Sequence, residues 1–396
     1  MLKNILTIFF TIFVILLAVS YQSLYDSYIL IGFSRAPVKS YDGGKCRRIE
    51  DVEACEDIHI HHRTGHAFMA CGSEYERLHG YFPPIDIFNS SHHIRDTPQI
   101  YDINKDIFIP LVLKNYPPEE DFISHGFGIY EDPENENKLY MFFINHKKTG
   151  SVVEKFEHIL HTNELIHLET IEHELINTPN DVVPVSKHEF YFTNDHYYRQ
   201  GFLKTIERFH SSITNETKIV VDGLRYANGI NANWDYSLIY VSATGGGEVN
   251  IYERNKNSNE LRLKERIFTG YPVDNISVDD ITGELYLTIA HKAFLILPYV
   301  EDRTYPTPPF GVLRISNNTE EDKFYGVNYS KKVIFEDDGN LYNLASVSAV
   351  DRKRNVLLVG SFVAKDILRY GSEEINRDET YPFKRGPCFG EFLSWY

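Results

Sequence analysis

The chain has 396 residues, 42% hydrophobic and 24% charged, which makes it globular rather than disordered. A formal net charge of −16 repels phosphate backbones, so nucleic acid is excluded as an expected partner, whereas metal cations are compatible. The 27 Tyr and 26 Phe favour strands over helices.

Residues 1–20 read MLKNILTIFFTIFVILLAVS. Lys3 precedes an uncharged, mostly apolar run from Ile5 to Val19, short for a membrane span and suited to a signal-peptide core. Ala18-Val19-Ser20 offers a small-residue cleavage site; the apolarity of YQSLYDSYILIGF, on to Phe33, makes an uncleaved anchor the other reading. Both readings put the body in the secretory pathway, secreted or membrane-anchored on the lumenal or extracellular side. Residues 21–45 then form a linker, 46–370 the folded body and 371–396 a tail. This context permits disulfides. The cysteines are Cys46, Cys55, Cys71 and Cys388, and sequence alone does not choose among their pairings. Cys46 and Cys388 flank nearly the whole body and form the natural closing pair. Five glycosylation sequons begin at Asn89, Asn215, Asn275, Asn317 and Asn328.

Along the body, helix-period patterning of useful length occurs only over 152–174. Elsewhere short apolar or alternating runs are broken by Gly, Pro, Asn and Asp. Several resemble one another: "HGFGIYEDPENENKLYMFFINH" from His125, "NDVVPVSKHEFYFTNDHYY" from Asn180, "NGINANWDYSLIYVSATGGGEVNIYE" from Asn228, "DNISVDDITGELYLTIAHKAFLIL" from Asp274 and "SVSAVDRKRNVLLVGSFVAKDILRY" from Ser346. A weaker copy begins at Glu56. Each has a polar residue, a short strand, a turn and a second strand. Repeats of roughly 40–50 residues with several strands each mark β-propeller blades, and longer gaps hold inserted loops. Six copies predict an all-β, six-bladed β-propeller preceded by an N-terminal hydrophobic segment.

In a propeller the first strand of each blade lines the central channel. The repeated polar position then faces the axis with Glu56-Asp57, His125, Asn180-Asp181, Asn228, Asp274-Asn275 and Ser346. Any one of these reads equally as a turn or cap residue. As a set they would be buried carboxylates repelling one another, unless a cation sits among them. Carboxylate and carboxamide oxygens without cysteine select Ca²⁺ or Mg²⁺, and a flexible set of six to eight suits Ca²⁺. Neighbouring strand residues point to opposite sides, so the Glu56/Asp57 and Asn180/Asp181 doublets predict two ions, one in the funnel and one deeper.

"ANGIN" at 227–231, "VDNISVDDITGELY" at 273–286, "TNDHYY" at 193–198 and the "HGFGIY…FFINH" segment resemble the paraoxonase/arylesterase family. The similarity runs from about Cys46 to Tyr370. It implies a six-bladed propeller with two calcium ions that hydrolyses lactones and aryl esters. By motif match it implies Glu56, Asn180, Asn228, Asp274 and Asn275 for a catalytic calcium. It implies Asp57, Asp181 and the Phe127 carbonyl for a structural calcium, and His125 and His146 as the catalytic histidine pair. Tyr75 and Tyr226 match positions lining the family's substrate pocket. The family closes its ring with a disulfide; Cys46 matches the first partner, but Arg369 stands at the second, leaving Cys388 as a substitute from a longer path. Cys55 and Cys71 are unusual for the family, and either pair with each other or stay free.

Other signals read as structural. His59, His61, His62 and His66 in "HIHHRTGH" fit blade-surface histidines better than a zinc site. "TGGGE" at 244–248 lacks the Lys-Ser/Thr of a phosphate loop, and no G-x-S-x-G elbow occurs. Two functions follow from the family resemblance: a calcium-dependent hydrolase acting on a small ester or lactone, or a membrane-anchored assembly factor with a protein partner in the membrane and no catalysis.

Overall fold

The structure, a computed structural model, describes residues 10–11, 13–14, 21–40, 45–201, 220–318 and 326–371. Within these the chain is all-β with few helical turns. β1 (Lys45–Ile49) leads into β2 (Cys55–His61) and β3 (His66–Cys71). A π-helical turn (Glu76–Gly80) and a small hairpin, β4 (Tyr81–Phe82) and β5 (Ile87–Phe88), interrupt before β6 (Gln99–Asp102) and β7 (Ile107–Pro110) extend the sheet β2-β3-β6-β7. The second sheet holds β9 (Ser124–Glu131), β10 (Lys138–Lys147), β11 (Gly150–Ile159) and β12 (Glu164–Ile171), with β8 (Val112–Lys114) parallel on the outer edge of β12. β13 (Pro179–Pro184) and β14 (Phe190–Asn194) form a two-stranded sheet. Two four-stranded sheets follow in chain order: β15 (Ala227–Ala232), β16 (Leu238–Ala243), β17 (Glu248–Arg254) and β18 (Leu261–Phe268), then β19 (Val273–Val278), β20 (Leu285–Ala290), β21 (Phe310–Asn317) and β22 (Tyr329–Asp337). In the last sheet β23 (Ala345–Asp351), β24 (Val356–Ser361) and β25 (Ile367–Gly371) are completed by β1, which pairs with β25 so that Cys46 opposes Tyr370.

The first strands neighbour one another around an axis: β2 with β9, then β13, β15, β19 and β23, which returns to β2. Among the described residues the arrangement is propeller-like, with five full blades and the β13–β14 pair, where the sequence predicts six blades. The cores lie between neighbouring sheets. Ile58 and Met69 pack with Val347 and Leu358, Phe68 with Phe127 and Phe143, and Val249 with Ile276 and Leu287. Burying faces of this size supplies the main driving force for folding, roughly 25 cal/mol per Å² of apolar surface.

The helix-period run over 152–174 is not a helix; it forms β11 and β12. Val152, Val153 and Phe156 are buried there, and tertiary packing of β-branched and aromatic side chains overrides the weak helical period. Cys55 and Cys71, opposed in β2–β3, form a disulfide with their Cα atoms 3.9 Å apart. Cys46 is also disulfide-bonded, and Cys388 lies outside the described residues.

Most of the N-terminal hydrophobic segment lies outside the described residues too. The part that is described includes a helix over 21–30, and no described helix is long and apolar enough to cross a membrane. Beyond that helix the chain docks on the body. Phe33 stacks on Phe294 with centroids 4.3 Å apart, and Arg35 donates to the His291 carbonyl at 2.8 Å.

Candidate functional site

The polar residue that opens each repeat takes the same place every time. Glu56, His125, Asn180, Asn228, Asp274 and Ser346 are each the second residue of a first strand. At that point the register slips against the second strand. The shift falls between Cys55 and Asp57, Pro179 and Val182, Ala227 and Ile230, Val273 and Ile276, and Ala345 and Val347. β9 shows the same break against Phe143 and Asn145 of β10. A β-bulge bends its strand and re-aims side chains, so strict alternation fails there. Small residues allow the crowding that results: a Cβ on Gly229 would lie 2.7 Å from the Asn275 Cα.

The bulges deliver two sets of oxygens. The first joins Glu56, Asn228, Asp274 and Asn275, with Asn180 at the same strand position on the neighbouring β13. The Asn275 amide donates to Glu56 Oε1 at 3.0 Å, and Asn228 bonds the Asp274 carboxyl. Asp274 and Asn275 stand together here; the doublets expected to divide are Glu56-Asp57 and Asn180-Asp181. Ser346 keeps a supporting place, donating to the Glu56 carbonyl at 2.8 Å. Glu56 Oε2 and the Oδ1 atoms of Asn180, Asn228 and Asn275 are buried without a hydrogen-bond partner. Leaving such acceptors unpaired is costly. Burial, then the charges of Asp57 and Asp274, push the Glu56 carboxyl well up, and burial lifts Asp274 to about 7. Acceptor-only oxygens that converge and resist ionisation fit a hard divalent cation. Among the described residues no group of three or more His, Cys, Asp or Glu forms a metal cluster; three of the five donors here are carboxamides.

The second set is Asp57 and Asp181, where those two doublets do divide. Asp57 accepts from Ile58 N at 2.8 Å and from Phe127 N at 3.1 Å; Asp181 accepts from Val182 N at 2.7 Å and Ile230 N at 2.8 Å. Burial, then the charge of Asp57, raises the Asp181 carboxyl.

Beside Glu56 stands the histidine pair. His125 Nδ1 lies 3.0 Å from His146 Nε2, and His146 Nδ1 lies 3.0 Å from Ser151 Oγ. His125 Nε2 is 3.7 Å from Glu56 Oε1. Burial, then the Arg77 guanidinium, lowers the His125 imidazole to about 4, so it is neutral at pH 7. Both rings are buried, and the edge of Phe82 covers them at 5.3 and 6.1 Å. The cavity that reaches His146, with Ser151, Thr178 and Asp195, measures about 10 Å³, near the room of one water.

The arylesterase family model matches residues 37–369. The chain belongs to the arylesterase family. Its relatives include serum paraoxonase/arylesterase 2 of Rattus norvegicus, 31% identical over 336 residues that span 82% of this chain and 88% of that protein. Serum paraoxonase/arylesterase 1 of Homo sapiens is 30% identical over 333 residues, 81% of this chain and 87% of that protein. Serum paraoxonase/lactonase 3 of Homo sapiens is 28% identical over 347 residues, 83% of this chain and 90% of that protein.

The two tyrosines matched by resemblance to a substrate pocket have different surroundings. Tyr75 is 64% exposed and lines a separate open pocket with Glu53, Gly72 and Asp96. Tyr226, at φ 56°, packs edge-on against His196, whose Nδ1 meets Asp195 at 2.8 Å. Sequence reasoning missed Arg77 and Phe82. Arg77 is fully buried, donates to the Ser124 carbonyl at 2.9 Å and to Asp96 at 3.4 Å, and stacks 4.5 Å over Phe82. Both lie in the insertion between β3 and β6, where no repeat partner marks them.

Proposed function

We propose that the protein is a calcium-dependent hydrolase of lactones and aryl esters, and that the β13–β14 pair is the inner half of a sixth blade. One observation carries this reading: four partnerless buried oxygens converge beside two hydrogen-bonded imidazoles. Kinship with the serum paraoxonase/arylesterases supports it. Glu56, Asn180, Asn228, Asp274 and Asn275 would hold one ion; Asp57, Asp181 and the Phe127 carbonyl would hold a second. Calcium bound at the first set would polarise the substrate carbonyl and favour the developing oxyanion. His125, neutral at pH 7, takes the proton of the attacking water. His146 holds the His125 ring in place and passes the proton toward Ser151. Phe82 keeps bulk water from both rings. Tyr75 and Tyr226 remain candidates for the pocket wall by family match.

The same reading places the body in the secretory pathway, behind a signal peptide or anchor, where the Cys55–Cys71 bond is stable. Cys46 and Cys388 close the ring. The buried Asn275 carries no glycan despite its sequon, its side chain being 1% exposed.

A second reading, the membrane-anchored assembly factor, is favoured by the small size of the cavity that the described residues form against His146, about 10 Å³. Hydrolysis of a simple lactone and of phenyl acetate, with calcium and with EGTA, tests the two. Calcium-dependent turnover that His125→Gln removes supports the hydrolase. Folded, calcium-loaded protein with no turnover on either substrate rejects it.

A further inference from the structure

The channel has a second mouth, at the opposite ends of the first strands. There His61, Ile129, Val183, Asn231, Val278 and Val350, one from each first strand, line a cavity of about 460 Å³. A volume of this order accepts a long side chain or a small ligand. Its walls include Tyr130 and Tyr236, with ring centroids 5.6 Å apart, and Trp234. Among the described residues of the lining there are two carboxylates, Glu131 and Asp280, three histidines, His59, His61 and His62, and no lysine or arginine. Glu131 is met by His61 Nε2 at 2.8 Å and by Arg63 from outside at 3.8 Å, whereas Asp280 is exposed at the rim.

Aromatic faces and carboxylates together favour a cation whose stem is apolar. The chain's net charge of −16 favours the same sign of ligand. The surroundings decide its size. Trp234, on the β15–β16 turn, is 74% exposed, and Ile281, beside Asp280 on the β19–β20 turn, is 78% exposed. These turns belong to adjacent blades, tied by the Asn231 amide donating to the Ile276 carbonyl at 2.8 Å. A free amine in the cavity would leave Ile281 and the outer face of Trp234 in water. A polypeptide entering with one basic side chain would cover both, and an exposed Trp beside a pocket is a common anchor of protein interfaces.

We propose that the second mouth docks a lysine or arginine side chain on an exposed segment of a protein partner, with flanking apolar residues closing over Trp234 and Ile281. No residue used here belongs to the oxygen sets or the histidine pair, so the inference stands apart from the hydrolase reading.

The test is selection of the full-length protein against two bead-bound nonapeptide libraries, randomised around a central lysine or a central norleucine. Enrichment from the lysine library alone, with apolar flanks, is expected. Trp234→Ala and Asp280→Asn should each weaken the selected peptides by about 10-fold, with the melting temperature unchanged, and Asp280→Glu should restore binding. Equal enrichment from norleucine, or variants without effect, overturns the proposal. n-Butylammonium binding as tightly as the selected peptides overturns it too, in favour of a small-amine site.

Discussion

Asn275 gives its amide N–H to Glu56 Oε1 at 3.0 Å while its own Oδ1 meets nothing. The two residues are 219 positions apart in the chain, and each has one buried oxygen left over. Asp274→Ala removes the carboxylate beside this pair. The expected outcome is loss of lactone hydrolysis by about 100-fold or more and a melting temperature that calcium no longer raises. Calorimetry with and without EGTA checks the second half. A variant stabilised by calcium as much as wild type would count against the assignment.

The chelated protein should also lose stability as pH rises. Glu56, Asp181 and Asp274 have raised pKa values when folded, Asp274 at about 7. A group raised on folding contributes stability that is present below its unfolded pKa and lost as pH climbs through the folded one. In EGTA the melting temperature should therefore fall between pH 5 and pH 8, by more than in excess calcium. Parallel curves under both conditions would show that these carboxylates do not face an ion.

His125→Gln keeps a polar side chain of similar reach but removes the base. Turnover should drop by about 100-fold or more while the melting temperature stays close to wild type. Steady-state kinetics beside a thermal scan separates the two effects. Unchanged hydrolysis would reject the role given to this ring.

Glu154 tests the scaffold instead. Fully buried, it accepts from Tyr116 at 3.2 Å, Asn145 at 3.0 Å, His167 at 2.9 Å and Thr170 at 2.6 Å. Glu154→Leu, on β11, the strand that carries Ser151, takes the acceptor from these four groups and the countercharge from Lys147, 3.4 Å away. A cost of about 3 kcal/mol is expected in urea unfolding, with Glu154→Gln milder because its carbonyl still accepts.

The repeat phase was legible in the sequence because the polar opening residue recurs with the same strand after it. The bulges were not, since nothing in "VDNISVD" marks the slip of register between Val273 and Ile276. The 152–174 run misled because Val152, Val153, Phe156 and Leu160 fit a helical stripe as well as a buried sheet face. Arg77 was invisible for another reason: its partners, the Ser124 carbonyl and Asp96, are brought to it only by the fold.

The pairing of β1 with β25 has a consequence for how the molecule is made. Every other full sheet is built from strands near one another in the chain, whereas this one needs Cys46 beside Tyr370. Four of its neighbours can form while the polypeptide is still growing. The last sheet must wait for nearly the whole chain, with a long loop to close before its contacts are gained. Until then β25 would have a bare edge where β1 belongs, the kind of template on which a foreign strand can add. Shortening either end of the body, at β1 or at β25, should therefore act first on the yield of correctly assembled protein, and only secondarily on the activity of the molecules that succeed.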